Sequence, residues 1–121
     1  MANNWEFGTL PSRRLTSRVE TPEGVWVFYR CDGREDVAPI RDMSMGGVFL
    51  ATPKSTTVGS LVNLHFLVEE GLLRAEATVR YVRTGGGMGL KFTAVPEEDR
   101  PRLAALMTRV RGLARARGKV L

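Results

Sequence analysis

The stretch LLRAEATVRYVR at residues 72–83 decides the class of fold. Apolar residues occupy every second position from 73 to 81, and charged or polar residues fill the positions between them. This period of two is typical of a half-buried β-strand. The same alternation occurs at residues 61–69, and Glu70-Gly71 between the two stretches is a turn signal. The two stretches therefore predict a β-hairpin.

Further short strands are predicted on both sides of this hairpin, each bounded by turn residues. They fall at residues 25–31, 37–42, 48–51 and 88–93. Pro39 is expected to break the second of them, since proline cannot donate a backbone hydrogen bond. Several short strands at this spacing predict a small antiparallel sandwich or barrel.

The hydrophobic period changes after the last strand. Between residues 103 and 114 the apolar residues recur at spacings of three and four, which predicts an amphipathic helix over 99–117. Asp99 is expected to cap this helix. The opposite face is rich in arginine, and positive charge near a helix C-terminus interacts favourably with the helix dipole. Solvation and the dipole explain this face, while a protein partner, a membrane and nucleic acid remain alternatives.

Composition excludes several classes of protein. The chain has 121 residues, 43% of them hydrophobic and 26% charged, which is ordinary for one globular domain. It has no apolar run of the ~18 residues that span a bilayer and no signal peptide at its N-terminus, so we expect a cytoplasmic protein without membrane insertion. Cys31 and His65 are the only residues of their types, which argues against a disulfide scaffold or a zinc site. No metal and no cofactor are expected.

Catalytic motifs are absent from the pattern. His65 has no nucleophile or carboxylate at a recognisable triad spacing, and Cys31 is interpreted as a small buried hydrophobe. The glycines at 85–89 lie between two predicted strands and precede no helix, unlike a dinucleotide-binding loop. We therefore predict that the protein is not an enzyme.

The charge pattern is more informative than the total. The net charge is +5, and fifteen of the eighteen basic residues are arginines. Arginine binds phosphate bidentately and stacks on bases, whereas lysine does neither as well. A GC-rich genome would also favour arginine over lysine. The positions of the arginines in the sequence are therefore needed to distinguish a binding function from a codon bias.

Two short motifs stand at suggestive positions. Arg14 and Arg18 form R-x-x-x-R with Arg13 directly before it, and 24 residues after Arg18 the sequence Asp42-x-Ser44-x-x-Gly47 begins. Taken alone, the first motif is typical of a solvated arm and the second of an Asx turn. Together, in this order and in a β-rich chain, they resemble the signature of the PilZ domain family. The segment Gly-Met-Gly-Leu-Lys-Phe at 87–92 is also similar to that family.

The resemblance implies a mainly β fold, a six-stranded antiparallel, Greek-key-like barrel with a C-terminal helix. It implies the following organisation: a flexible N-terminal segment at 1–11 and a single domain at 12–118, made of an arm (12–23), a barrel (24–95) and a helix (99–117). It also implies that the domain binds the bacterial second messenger cyclic di-GMP.

By the same resemblance, Arg14 and Arg18 hold phosphates and a guanine, while Asp42, Ser44 and Gly47 read a guanine from the barrel surface. These roles suit the ligand chemically. Arginine pairs with phosphate and with the O6 and N7 acceptors of guanine, and a carboxylate accepts from the N1–H and N2–H₂ donors.

Two further residues belong to the expected site. Gly46 is one of them, and together with Gly47 it lets backbone N–H groups approach the ligand closely without a Cβ in the way. Arginine at the position of Arg13 is associated, in the family, with a stacked dimer of the ligand.

The expected function is that of a receptor and adaptor whose arm orders on ligand binding and which signals through a protein partner. Two alternatives remain: a PilZ-like interaction module that no longer binds the ligand, related to motility or pili, and a basic small barrel that binds nucleic acid. The nucleic-acid reading is disfavoured because aromatic residues are only 7% of the chain. Motility, biofilm and exopolysaccharide are associations of the family. The sequence leaves the partner and the oligomeric state open.

Overall fold

The computed structural model describes residues 19–21, 24–54 and 56–118, with side chains up to residue 116. The elements, in chain order, are β1 (Val19–Glu20), β2 (Trp26–Cys31), β3 (Arg34–Ser44), β4 (Gly47–Leu50), β5 (Leu61–Leu67), β6 (Arg74–Val82), β7 (Met88–Ala94), a 3₁₀ turn (Glu97–Asp99) and α1 (Arg100–Gly118). Among these residues no helix is both long and apolar enough to cross a membrane.

The strands form one antiparallel sheet that closes on itself. Its order is β1-β3-β2-β5-β6-β7-β4, and a further pairing of β3 with β4 joins the two ends. Strands β2 to β7 thereby make a closed barrel, and the short β1 is added beside β3. The predicted six-stranded antiparallel barrel with a C-terminal helix is confirmed.

The barrel interior is filled by alternate residues of each strand. In β5, for example, Val62, Leu64 and Phe66 are buried and the residues between them are exposed, as the sequence predicts. Four side chains of α1 join the same core, namely Leu103, Leu106, Met107 and Val110. Burial of a side chain of this size contributes about 1.5–3 kcal/mol. The helix is therefore held by packing against the barrel.

Strand β3 differs from the prediction, since it is neither short nor broken at Pro39. It runs for 11 residues through the proline. The N–H of Ile40 donates to the carbonyl of Val25 at 2.8 Å, on the side of β2. In an antiparallel strand, the backbone N–H and C=O groups of consecutive residues point alternately to the two neighbouring strands. The backbone nitrogen of Pro39 therefore points away from β2, and no hydrogen bond to β2 is lost. Proline is tolerated at such a position.

Tyr81 also differs from the prediction, which placed it on the buried face of β6. The β6–β7 register shifts between Val79 and Tyr81, so Arg80 is an extra residue in the ladder. A bulge of this kind turns the following side chains over. As a result Tyr81 is 42% exposed on the outside of the barrel.

Asp99 directly precedes α1, but its described hydrogen bonds go to Arg74 and to the side chain of Arg102 rather than to the backbone N–H groups that a helix cap would bind. It is completely buried in the turn before α1. Its carboxylate accepts hydrogen bonds from the backbone N and Nε of Arg74, both at 3.0 Å, and from Nη1 of Arg102 at 3.2 Å. Hydrogen bonding from Arg74 lowers the pKa of Asp99, although burial acts in the opposite direction. The carboxylate thus joins α1 to β6.

Candidate functional site

The motif Asp42-x-Ser44-x-x-Gly47 lies on the hairpin of β3 and β4. Asp42 is paired with Phe49, and Ser44 with Gly47, which leaves Met45 and Gly46 as the two residues of the turn. Asp42 is half-buried and Ser44 is 3% exposed. The hairpin therefore brings Asp42, Ser44, Gly46 and Gly47 together at one end of β3.

Two hydrogen bonds hold the turn in place. The hydroxyl oxygen of Ser44 accepts from the N–H of Gly46 at 3.0 Å. The carbonyl of Gly46 accepts from the N–H of Phe92 on β7 at 2.8 Å. A serine hydroxyl that accepts in this way keeps its own hydrogen for a second acceptor. The motif is thus anchored on regular strands, which position side chains more firmly than a loop.

Gly47 has a structural requirement of its own. A Cβ at this position would lie 2.1 Å from the carbonyl oxygen of Leu90, a backbone atom of β7. The glycine is needed because β4 and β7 approach closely there, and its φ is not left-handed. The close approach that we expected between Gly47 and a ligand is in this structure an approach between two strands.

An aromatic residue extends this surface outward from the motif. Phe49 lies between the core residues Val48 and Leu50 on β4, so its ring points out of the barrel, yet it is only 1% exposed. Tyr81 stacks on it with ring centroids 6.0 Å apart. The guanidinium carbons of Arg41 and Arg83 lie 5.0 and 4.7 Å from the centroid of the ring. Such distances are those of cation–π contacts.

We call the outer surface of β3, β4 and β7, together with Tyr81 and Arg83 beside it, the site wall. Lys91 belongs to it, since it is exposed on β7 and paired with Gly47. In the described part of the chain, Arg41, Arg83 and Lys91 form no ion pair with a carboxylate. The site wall therefore presents three cationic side chains around the motif, which is an arrangement suited to an anion.

Sequence reasoning missed these three cations. Arg41 directly precedes Asp42, so its position beside the motif was a usable signal. Lys91 alternates with the buried Leu90 and Phe92, which also predicts an outward side chain. Arg83 gave no such signal, because its contact with the site wall follows from the bulge in β6.

The three arginines predicted to bind phosphate, Arg13, Arg14 and Arg18, lie outside the described residues. The residues that follow them are placed beside the motif: Val19 pairs with Met43 and Glu20 with Asp42. The N–H of Thr21 then donates to the carbonyl of Arg41 at 2.9 Å, and its hydroxyl donates to the carbonyl of Ile40. The chain after the R-x-x-x-R motif therefore runs directly along the Asp42 end of β3.

The two other residues considered from the sequence lie elsewhere. His65 is exposed on the outer face of β5, where it pairs with Phe28 and Arg74. Cys31 is buried at the end of β2, and its burial raises the pKa of the thiol. Neither is near the motif. Within the described ranges no three His, Cys, Asp or Glu side chains cluster in a way that would hold a metal.

Comparisons with known proteins agree with this architecture. The family model described as PilZ domain matches residues 12–109. The fold is similar to that of PlzA from Borreliella burgdorferi, solved in complex with c-di-GMP, with a TM-score of 0.60, 14% identity and coverage of 82% of this chain and 42% of PlzA.

It is also similar to MrkH of K. pneumonia in its apo state, with a TM-score of 0.64, 17% identity and coverage of 84% of this chain and 52% of MrkH. The chain thus matches about half of each of these two proteins, and the likeness concerns the fold. No curated protein matches the chain. The match of the family model over most of the sequence, together with the closed barrel and its motif hairpin, shows that the chain belongs to the PilZ domain family.

Proposed function

We propose that the protein is a cyclic di-GMP receptor that acts as an adaptor, in the cytoplasm and not as an enzyme. The observation that carries this proposal is the pairing of β1 with β3. Because Val19 pairs with Met43 and Glu20 with Asp42, the chain enters the barrel from Arg18 directly beside the second motif. The residue that directly follows the first motif, Val19, is thus paired beside the second motif, which supports a site shared by both motifs. PlzA, a structure of similar fold, was solved with c-di-GMP.

Each motif residue has a role that suits the ligand. The guanidinium groups of Arg14 and Arg18 bind phosphate oxygens and the acceptor edge of a guanine. The carboxylate of Asp42 accepts from the donor edge of a guanine. The hydroxyl hydrogen of Ser44 is available for a phosphate or base oxygen. Gly46 keeps the turn free of a side chain beside these groups.

The cations of the site wall add a second contribution. Cyclic di-GMP carries two phosphodiester charges, and Arg41, Arg83 and Lys91 are cations on the same surface as Asp42. They raise the local positive potential and favour association with a dianion, an effect that weakens with added salt. Arg41 and Arg83 also retain their contact with Phe49, which limits the side-chain entropy that they lose on binding.

The ligand would act on the arm at 12–23: β1 is already paired with β3, and binding would order the residues that precede it. Three or four charge-assisted hydrogen bonds contribute about 1.5–3 kcal/mol each. The cost of ordering the arm is subtracted from this total, which leaves roughly −8 kcal/mol and micromolar affinity. An arm that folds over the site wall changes the surface that a protein partner meets. The protein partner would recognise the surface that the ordered arm creates.

The test is isothermal titration of the full chain with cyclic di-GMP. We expect micromolar binding for the wild type and a loss of at least tenfold for Arg14→Ala, Arg18→Ala and Asp42→Ala, because each removes a charge-assisted bond. Arg115→Ala is the matched control, since it removes an equal charge from an exposed position on α1 and should leave the affinity unchanged. An equal loss of affinity in all four variants would indicate nonspecific electrostatic attraction and would contradict the proposed site.

The stoichiometry of the same titration tests Arg13. A stacked ligand dimer gives two ligands per chain in the wild type, and Arg13→Ala should then reduce this number to one. If the titration gave no heat of binding and no competition were seen at high ligand concentration, the receptor proposal would be refuted. The protein would then be a PilZ-fold interaction module, the alternative that the sequence leaves open.

A further inference from the structure

The outer faces of β2 and β5, together with one residue of β3 and one of the β5–β6 connection, carry an exposed apolar surface. Trp26, Val37, Leu67 and Leu72 are 41%, 47%, 50% and 45% exposed. They are neighbours across the strands: Trp26 pairs with Leu67, and Leu72 lies opposite Leu67 where the β5–β6 hairpin continues. Val37 pairs with Phe28, the next outward residue of β2 after Trp26. We call Trp26, Phe28, Val37, Leu67 and Leu72 the apolar patch.

A groove of about 490 Å³ borders the apolar patch on the same face. Its lining includes Phe28, Arg30, His65, Arg74 and Pro96. The exposed ring of Trp26 stands beside it, two residues along β2 from Phe28. One face thus combines a partly exposed aromatic side chain with a partly apolar recess. Large aromatic residues and recesses of this kind are typical of the centres of protein interfaces.

The charges around this face balance one another, although the chain as a whole carries +5. Arg30 forms an ion pair with Glu35 at 2.6 Å, and Arg74 with Asp99 at 3.0 Å. Glu76 lines the groove as well. Two copies of a chain with net charge +5 repel each other on average, and this face does not add to the repulsion. It is therefore a favourable face for self-association.

We propose that two copies of the chain associate through the apolar patch about a twofold axis, each placing Trp26 in the groove of the other. A twofold contact needs a self-complementary surface, which the side-by-side Trp26 and groove provide. The four most exposed side chains leave roughly 300–400 Å² of apolar surface open, and weak interfaces are only somewhat more than half apolar. With its polar rim the contact reaches about 600–700 Å² per copy, below the ~800 Å² of a stable complex. The dimer is therefore weak and reversible.

Sedimentation velocity of the full chain tests this proposal without ligand. From about 1 µM to several hundred µM, the range expected for a weak contact, the mass of the wild type should rise from 13.4 kDa towards twice that value. Trp26→Glu should weaken the association at least tenfold, because it places a charge at the centre of the contact. Leu61→Glu is the matched control: Leu61 is 52% exposed at the other end of β5, outside the apolar patch, and its variant should dimerise as the wild type does.

A second readout follows the tryptophan itself. In a Trp5→Phe background, the fluorescence of Trp26 should shift to shorter wavelength as the concentration rises, because the ring leaves water. A mass constant at 13.4 kDa over the whole range would overturn the proposal. Equal weakening by Trp26→Glu and Leu61→Glu would overturn it too. Since the apolar patch contains neither a motif residue nor a cation of the site wall, neither result depends on the binding of cyclic di-GMP.

Discussion

Replacement of Asp99 by alanine tests the link between α1 and the barrel. The carboxylate accepts from the backbone N–H of Arg74 and from the side chains of Arg74 and Arg102. It is fully buried, while the side chains of Arg74 and Arg102 are 45% and 39% exposed. Asp99→Ala removes the acceptor and leaves the part-buried N–H of Arg74 without this partner.

The expected loss in free energy of unfolding is about 2–3 kcal/mol. A hydrogen bond to a charged group contributes about 1.5–3 kcal/mol. The bond from the backbone N–H of Arg74 is assigned its full contribution to the free energy of unfolding. The side-chain bonds are assigned less, because in the variant both guanidinium groups can hydrogen-bond to water instead. A helix cap alone would be worth about 1 kcal/mol. Domains of this size have only about 5–15 kcal/mol in total, so the effect is large.

The pH dependence follows from the lowered pKa of Asp99. Because the folded pKa lies below the unfolded one, the unfolded chain takes up the proton first as the pH falls. The contribution of the carboxylate is fully present above the unfolded pKa of about 3.9. This contribution to stability is lost as the pH falls through the pKa that Asp99 has in the folded protein. The stability difference between wild type and variant should be constant from about pH 7 to 5 and should narrow below about pH 4.

Urea unfolding, followed by tryptophan fluorescence at several pH values, measures this difference. Glu98→Ala is the control: Glu98 is next in sequence and lies 3.7 Å from Arg74, but its side chain is 71% exposed. An exposed ion pair of this kind contributes less than about 0.5 kcal/mol. If Asp99→Ala destabilised the protein no more than Glu98→Ala does, our account of the buried carboxylate would be refuted.

Three other variants or reactions test separate parts of the structure. Gly47→Ala forces a Cβ against the backbone of β7, whereas the nearest atoms to a Cβ in Gly89→Ala belong to the ring of Tyr81, a part-exposed side chain that can move outward. The first should lower the melting temperature in circular dichroism far more than the second, and equal melting temperatures would contradict the packing argument. Glu70→Gln should cost about 1–2 kcal/mol at pH 7, because a guanidinium on α1 lowers the pKa of Glu70. That difference should fade in urea titrations below about pH 4, and a difference of the same size at pH 3 would rule the ion pair out. Iodoacetamide should alkylate Cys31 at least tenfold more slowly in the native state than in urea, because burial raises the pKa of its thiol; equal rates in mass spectrometry would show that it is accessible.

The parts of the fold that the sequence predicts well are those in which local alternation and tertiary burial agree. In β2 and β5 every second residue is buried, as the period of two requires. The motif hairpin is another such part, because Met45 and Gly46 follow a strand and precede an apolar run. Here the local signals suffice to place Asp42 and Ser44 on one hairpin.

The parts that could not be predicted depend on how the strands meet around the barrel. The outward side chain of Tyr81 results from a bulge that exists only in the pairing of β6 with β7. The tolerance of Pro39 depends on which neighbour its nitrogen faces. The burial of Phe49 outside the core depends on Arg41 of the neighbouring strand β3 and on Arg83, which follows β6 and is distant in sequence. Periodicity contains none of this information.

The pairing of β3 with β4 has a consequence for the behaviour of the protein at high concentration. An open sheet exposes a row of backbone N–H and C=O groups that can recruit strands from other molecules without limit. In the closed barrel of β2 to β7 these groups are paired within the chain. Contacts between molecules that involve these six strands therefore have to use side chains on the outer faces, and a face of limited size is saturated by one neighbour. Such a chain can carry an exposed tryptophan and still remain resistant to fibril growth.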